Sequence, residues 1–511
     1  MKSRIAALAL TTLVFGLMAT GCPTIPELCD NGACSPVGSA DVAQPDSEGG
    51  VGPDSDVVTD ASPDREPDAP PGCGNANAPW ENVDKCVVEG AGVFVSSLAA
   101  TEGKGTKASP FKTLAKAMAS IPTPRRLFVC AGTYTENVTI TALVNVHGGF
   151  SCADWSYDAT KNKVDIVAST EAAGLVVKGV VGEVTVSDVK VVAKSDVGKG
   201  KSSVAAFVAT SSKVNFVRVT LEAKAGGDAE DGKDGNYTYP SASLLQGKNA
   251  DGKGTPGPGD DTGGPGGDTG SCPGGGKSTG GVGGNIGFQG TDGTPSPLGG
   301  AKGAGIAACN IAPAGGAGAD GRPAPDADPG AGAKVLGSLT AEGWSGKSGD
   351  NGKSGTPGGG GGGGYGTAGA GGGGGAGGCG GAGGTGGSAG GSSIALLVLD
   401  SEVALVASEL VAVDGKPGGS GGTGQTGQSG AFRGAGSGAA CNGGNGQKGG
   451  DGGQGGGGAG GVSAGIVWSG SKEPTRDVGT KLKPSTGAPA PGGGAGGAKG
   501  IDGQNKDVIK L

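Results

Sequence analysis

Three segments decide the fold when set beneath one another: Glu183-Val-Thr-Val-Ser-Asp-Val-Lys-Val-Val192, Lys213-Val-Asn-Phe-Val-Arg-Val-Thr-Leu221 and Glu402-Val-Ala-Leu-Val-Ala-Ser-Glu-Leu-Val411. Each follows a second β-rich run, respectively Gly174-Leu-Val-Val, Val204-Ala-Ala-Phe-Val and Ile394-Ala-Leu-Leu-Val, with Gly or Ser between. Val184, Val214 and Val403 align, as do Val191, Leu221 and Leu410. A unit this short cannot bury its own apolar face, so neighbouring units must stack to do it. A fourth, weaker copy runs Val462-Ser-Ala-Gly-Ile-Val-Trp468. The third unit is expected to continue the second, which makes the Gly-rich residues between them an insertion into a repeating β-structure.

Upstream, Gly92-Val-Phe-Val-Ser predicts a strand. Gly105-Thr-Lys-Ala-Ser-Pro-Phe-Lys-Thr-Leu114 predicts a turn and an amphipathic helix to Met118, with Phe111, Leu114, Ala115 and Met118 on one face. Leu127-Phe-Val-Cys-Ala-Gly-Thr-Tyr-Thr-Glu-Asn-Val-Thr-Ile140 comes next, and His147-Gly-Gly-Phe150 continues the pattern. This order resembles the opening of pectin-lyase-like proteins, in which such a helix caps the coil. The resemblance covers Gly92 to Ile140 and, more loosely, the chain to Gly226. It implies an all-β fold, a right-handed parallel β-helix.

Glycine supplies 120 of 511 residues, against about 7% in ordinary proteins. It recurs every third residue over Gly281–Gly293, Gly343–Gly364, Gly366–Gly390, Gly415–Gly430 and Gly443–Gly461. Collagen shares the period but needs more proline and longer unbroken runs. Two readings stay open: disordered low-complexity sequence, or a bundle of polyglycine-II helices. In the second, glycine on one edge lets backbones approach and bond without a side-chain core. The Gly380–Gly387 texture resembles the Gly-rich half of mycobacterial PGRS surface proteins, without their helical domain.

The N-terminus reads as an address. Lys2 and Arg4 precede an apolar run from Ile5 to Met18, too short to span a bilayer. Ala19-Thr20-Gly21-Cys22 resembles the lipobox of bacterial lipoproteins, with Ala19 where Leu is usual. The resemblance implies lipid attachment at Cys22, and Pro23 in place of Asp implies the outer membrane or cell surface. Asp54, Asp56, Asp60, Asp64 and Asp68 lie in an Asp/Pro-rich stretch that reads as a solvated tether. Ten cysteines remain after Cys22, an even number suited to an oxidising compartment. Sequence neighbours suggest Cys29 with Cys34, Cys73 with Cys86, Cys130 with Cys152, Cys272 with Cys309 and Cys379 with Cys441, although spacing leaves the connectivity open.

Composition closes several routes. Net charge is -8 and no basic footprint suggests nucleic acid. His147 is the one histidine, so a multi-histidine metal site cannot be built within the chain. No cofactor is implied. The phosphate-loop and GxSxG matches fall in low-complexity sequence, and Asp228, Glu230, Asp231 and Asp234 lack a calcium-loop pattern. An enzyme on this coil, a polysaccharide lyase or glycoside hydrolase, would draw on Asp188, Lys190 and Arg218. Asp188 aligns with Arg218, but the next equivalent is Ala407.

The expected organisation is therefore a signal peptide (1–21), a lipid-anchored tether (22–72), cap and coils (73–225), a Gly-rich insertion (226–391), a coil (392–414), a second insertion (415–461), a coil (462–486) and a Gly-rich tail (487–511). The expected role is non-enzymatic: a surface lipoprotein held to the membrane by its lipid, structural or adhesive, with polysaccharide or envelope proteins as partners.

Overall fold

The computed structural model describes Cys73 and residues 82–120, 126–252, 261–305, 309, 316–494 and 498–511. The expected signal peptide and tether, with Cys22, Cys29 and Cys34, lie outside the described residues. Regular structure is nearly all β, in parallel sheets, with only short helices. The first sheet runs Val93–Val95, Arg126–Cys130, Asn145–Phe150, Glu183–Ser187, Lys213–Val217, Val403–Val406, Thr475–Arg476. The second runs Gly132–Thr135, Val164–Val167, Lys190–Val192, Thr220–Glu222, Glu409–Val411, Lys481–Lys483. The third runs Val138–Ile140, Leu175–Lys178, Ser203–Ala209, Ser393–Leu399, Ser463–Ser469, Asn505–Lys510.

From Arg126 onward the chain visits these sheets in fixed rotation, first, second, third, and each circuit forms one rung. Alternation puts one residue in two inward, and the inward residues stack from rung to rung. Leu127, Val146, Val186, Phe216 and Leu405 form one buried column. Tyr134, Ile166, Val191, Leu221 and Leu410 form another, and Val177, Val208, Val398 and Trp468 a third. Each buried Val or Leu contributes about 1.5–3 kcal/mol. Val184, Val214 and Val403 are register partners, as are Val191, Leu221 and Leu410, so the repeats stack as their alignment predicts. Ser203–Ala209 pairs directly with Ser393–Leu399.

Corners expose backbone donors, and serine satisfies them. The Ser203, Ser393 and Ser463 hydroxyls accept from Lys224 N, Val413 N and Ser485 N at 2.9, 2.9 and 2.8 Å. At another corner Asp188, Arg218 and Ala407 occupy the left-handed region one above the other, with φ of 56°, 51° and 47°.

The leading end is closed by the helix Leu114–Ala119, which buries Leu114 and Ala117. Thr113 caps it by accepting from Lys116 N, and the Glu136 carboxylate accepts from Leu114 N and Ala115 N at 2.9 and 2.8 Å. The helix is shorter than its periodicity predicts. Thr113 is extended, so Phe111 lies outside the helix and bridges to Val95, while Ala115 faces solvent. At the other end the expected tail is not purely Gly-rich, because Asn505–Lys510 extends the third sheet. Val508 packs against the inner core and Ile509 against its outer face, a signal too short to stand out in sequence.

The Gly-rich residues form extended segments cross-bonded every third residue. Residues 370–391 are the hub and bond to neighbours in six directions. Gly375, Gly378, Gly381 and Gly384 donate to the carbonyls of Gly444, Gln447, Gly450 and Gly453. The carbonyls of the same four accept from Gly361, Gly358, Gly355 and Gly352. Ala376, Thr385 and Ser388 donate to Leu245, Lys233 and Glu230, while Ala376, Cys379, Ala382 and Thr385 accept from Ala431, Gln428, Gln425 and Gly422. Gly371 and Gly374 donate to Gly284 and Gly281 and accept from Gly264 and Gly267. The spacing leaves no room for side chains: a Cβ on Gly381 would stand 1.8 Å from the Gln425 carbonyl oxygen. Non-glycine residues of the hub recur at Ala376, Cys379, Ala382, Thr385 and Ser388.

A hairpin, Gly337–Thr340 with Gly343–Gly346, joins the two halves. Its Leu339 and Trp344, with Leu336, pack on the outer apolar face of the third sheet formed by Val204, Phe207, Ile394 and Leu397. Trp344 Nε1 donates to Ser392 Oγ at 3.1 Å.

Cys73–Cys86 and Cys130–Cys152 are disulfides. The remaining pairs correct the neighbour rule: Cys272 joins Cys379, and Cys309 joins Cys441. The reason is the hub. It places Cys379 deep among segments from both insertions, so spatial neighbours are distant in sequence.

Two outcomes follow from this geometry. Gly381→Ala should destabilise the chain by about 2–3 kcal/mol through forced displacement of backbone, while Ala382→Gly costs about 1 kcal/mol or less; denaturant unfolding of the two checks the contrast. Non-reducing peptide mapping should recover Cys272–Cys379 and Cys309–Cys441, and Cys272→Ser should lower stability by about 2–5 kcal/mol.

Candidate functional site

The residues on which an enzyme, the alternative reading, would draw divide. Asp188 and Arg218 meet at the stacked left-handed corner, where Arg218 Nε and Nη2 donate to Asp188 Oδ1 and Oδ2 at 2.6 and 2.7 Å. The Asp188 side chain is only 1% exposed against 37% for Arg218. Both carboxylate oxygens therefore carry a guanidinium donor, the bidentate fork that gives such pairs their strength. Tyr157 stands beside them, its hydroxyl 3.5 Å from Arg218 Nη2. Burial, with the Asp188 charge adding to it, pushes the Tyr157 hydroxyl up to about 12. Tyr157 also packs edge-on against Phe150, so the cluster pins the 151–162 connection to the sheet.

Lys190 belongs elsewhere. It lies on the second sheet, beside Thr220 and Asp165 in register, and pairs with Glu222 at 2.6 Å. Its hydrogen bond to Glu222 raises the Lys190 ammonium above its ordinary value. Glu222 and Tyr157 were not singled out by sequence. Glu222 lay one residue past the aligned repeat, and Tyr157 sits in a connection with no repeat to mark it. His147 is buried on the first sheet, with Nδ1 2.8 Å from Ser187 Oγ and its ring stacked on Phe128.

The acidic residues at the start of the first insertion are engaged in bonding the bundle. Asp231 accepts from Ser420 N at 2.7 Å, and Asp234 from Thr423 N and Oγ1 at 2.8 Å each. Asp228 pairs with Lys416, and Glu230 with Lys199. On other outer segments Asp320 accepts from Asn445 N and Asp326 from Asp451 N. Where a neighbouring carbonyl is missing at the rim, a carboxylate takes its place. These bonds hold the Asp234 carboxyl below its ordinary value, the Thr423 hydroxyl contributing most. The Asp451 carboxyl is lowered by Lys448 and then by Gly427 N.

One outer surface has a regular chemistry. Ser420, Thr423, Thr426 and Ser429 recur every third residue, the last three exposed. Gln425 and Gln428 form a parallel row, their amides bonded to Tyr237 and Pro240 carbonyls at 2.9 and 2.8 Å. Among the described residues no group of three or more His, Cys, Asp or Glu is placed to hold a metal, and no helix is long and apolar enough to cross a membrane. No family model, curated protein or solved structure matches the chain.

Arg218→Ala should cost about 2–3 kcal/mol, less than a fully buried pair because Arg218 is partly exposed. Adding Asp188→Asn should recover part of that loss in denaturant melts. Tyr134 is also raised to about 12, chiefly by burial. Both hydroxyls have folded values above the ordinary 10, so their contribution is whole below pH 10 and is lost as pH climbs toward 12. Tyrosine absorbance titration should show Tyr134 and Tyr157 ionising late, with Tyr239 also raised by its burial, and Tyr157→Phe should remove one late-ionising group.

Proposed function

We propose that this chain is a lipid-anchored, non-enzymatic protein of the outer membrane or cell surface, with a structural or adhesive role toward polysaccharide or envelope proteins. Its rungs wind as a right-handed parallel β-helix of the pectin-lyase-like kind, and its insertions form a polyglycine-II bundle displayed from it. The strong right-handed preference of parallel crossover connections supports the first reading. Three-residue periodicity in the bonding between segments, together with glycine at the closest approaches, supports the second. The Ala19-Thr20-Gly21-Cys22 motif supports the anchor.

The observation that carries the adhesive reading is the hydroxyl row at Ser420, Thr423, Thr426 and Ser429 on a cross-bonded support. At three residues per turn such groups repeat about every 9 Å. A rigid row of weak donors and acceptors suits a repeating polyhydroxyl chain, and many small contacts add through multivalency. The alternative, a lyase or hydrolase, needs a free acid or base. The Arg218 clamp on Asp188 and the Glu222 pairing of Lys190 weigh against it.

The test uses the whole chain with a panel of acidic and neutral polysaccharides, scoring retention and new reducing or unsaturated ends together. Retention without new ends is expected, lowered about tenfold by Thr426→Ala with Ser429→Ala. New ends that vanish with Asp188→Ala would establish the enzyme instead. Cys22→Ser should shift the protein from the membrane fraction to the soluble fraction.

A further inference from the structure

The two ends of the stack are built differently. The leading end is covered by an apolar helix, Leu114–Ala119. Among the described residues the other end is the uncovered edge of the last rung, Thr475–Arg476, Lys481–Lys483 and Asn505–Lys510. Two inward columns finish there on cations. Arg476 follows Leu405 in register, and Lys510 follows Trp468, its ammonium 4.8 Å from the ring centre. Inward charge and edge lysines block the addition of another strand, so the face is not made for β-pairing.

Its charge is local. The negative charge sits in residues 1–81, where three Lys/Arg against twelve Asp/Glu leave -9; residues 82–511 hold 36 and 35, a net of +1. Against that neutral background, residues 475–483 and 505–511 place five exposed cations, Arg476, Lys481, Lys483, Lys506 and Lys510, beside two carboxylates. Asp477 is already bonded to Thr480 and Ala407 N, and of the five cations Lys483 pairs with Glu409. Among these charges Val478 is fully exposed at 108% and Leu511 is 43% exposed. A soluble polyanion would match the cations but has no apolar interior for Val478. A lipid surface offers both.

We propose that the last rung docks on an anionic lipid bilayer, the lysines meeting headgroup charge while Val478 and Leu511 enter the interface. This does not depend on lipidation at Cys22 or on the adhesive reading.

The purified full chain is co-sedimented with vesicles of phosphatidylglycerol and phosphatidylcholine, and with pure phosphatidylcholine. Binding to the anionic vesicles that weakens as salt rises is expected. Lys481→Glu with Lys506→Glu should lower it by about tenfold or more, and Val478→Ser severalfold. Lys302→Glu with Lys334→Glu, at exposed positions outside the last rung, should leave it unchanged. All variants share residues 1–81, so any affinity of that segment cancels. Equal loss in the control pair, no loss in the last-rung pair, or binding indifferent to salt would overturn the proposal. So would binding of soluble polygalacturonate that falls with the last-rung pair but ignores Val478→Ser while vesicles stay unbound; the face would then belong to a sugar polymer. Melting curves on each variant check that the fold is retained.

Discussion

Much of this molecule rests on one exclusion: carbonyl oxygens stand about 2 Å from where hub side chains would begin. That distance is what allows backbone amides of separate segments to satisfy one another in six directions. An ordinary core is held by apolar area, and amides are satisfied as a by-product. In the bundle the order is reversed. Backbone pairing is the cohesive interaction, and the requirement that no Cβ intervene fixes which positions can carry one. Each ordered glycine costs about 0.5–1 kcal/mol more than alanine in entropy, and the long closures made by Cys272–Cys379 and Cys309–Cys441 offset part of that.

The β-stack supplies what the bundle lacks. Its columns of Val, Leu and Ile are a conventional apolar core, and its third sheet carries a second apolar face outside. The hairpin bearing Leu339 and Trp344 covers that face, so an element of the first insertion completes the burial of the stack. Asp231 and Asp234 work the same way at the rim, lending carboxylate oxygens where the lattice of carbonyls ends. The stack thus draws part of its burial from the insertion, although the cohesion of the two has different origins.

How much of this was legible follows the same division. Stacking was readable because Val184, Val214 and Val403 repeat at one register, and a period of two is hard to imitate by chance. The continuation from Glu222 to Ser393 was readable for the same reason. The last strand was not, since Val508 and Ile509 alone carry it. Glycine periodicity announced close approach but not neighbours: a Gly-Gly-X run has no feature that selects one partner segment over another. The disulfide pairs across the bundle were therefore beyond sequence, whereas Cys73–Cys86 and Cys130–Cys152 join short local loops. Asp188 and Arg218 were placed together correctly by alignment, yet their meaning changed once the fork and the buried carboxylate were visible. An acid and a base on adjacent rungs look identical in sequence whether they are poised or saturated.

The contrast in cohesion extends to temperature. Exposing apolar surface raises heat capacity, and exposing amide surface lowers it. The β-stack therefore has the curved stability profile of an ordinary domain, losing apolar driving force in the cold. The bundle, whose buried surface is mostly peptide, has a much flatter profile and keeps its cohesion on cooling. The two parts of one chain thus answer cooling in opposite ways, the stack losing driving force where the bundle keeps it.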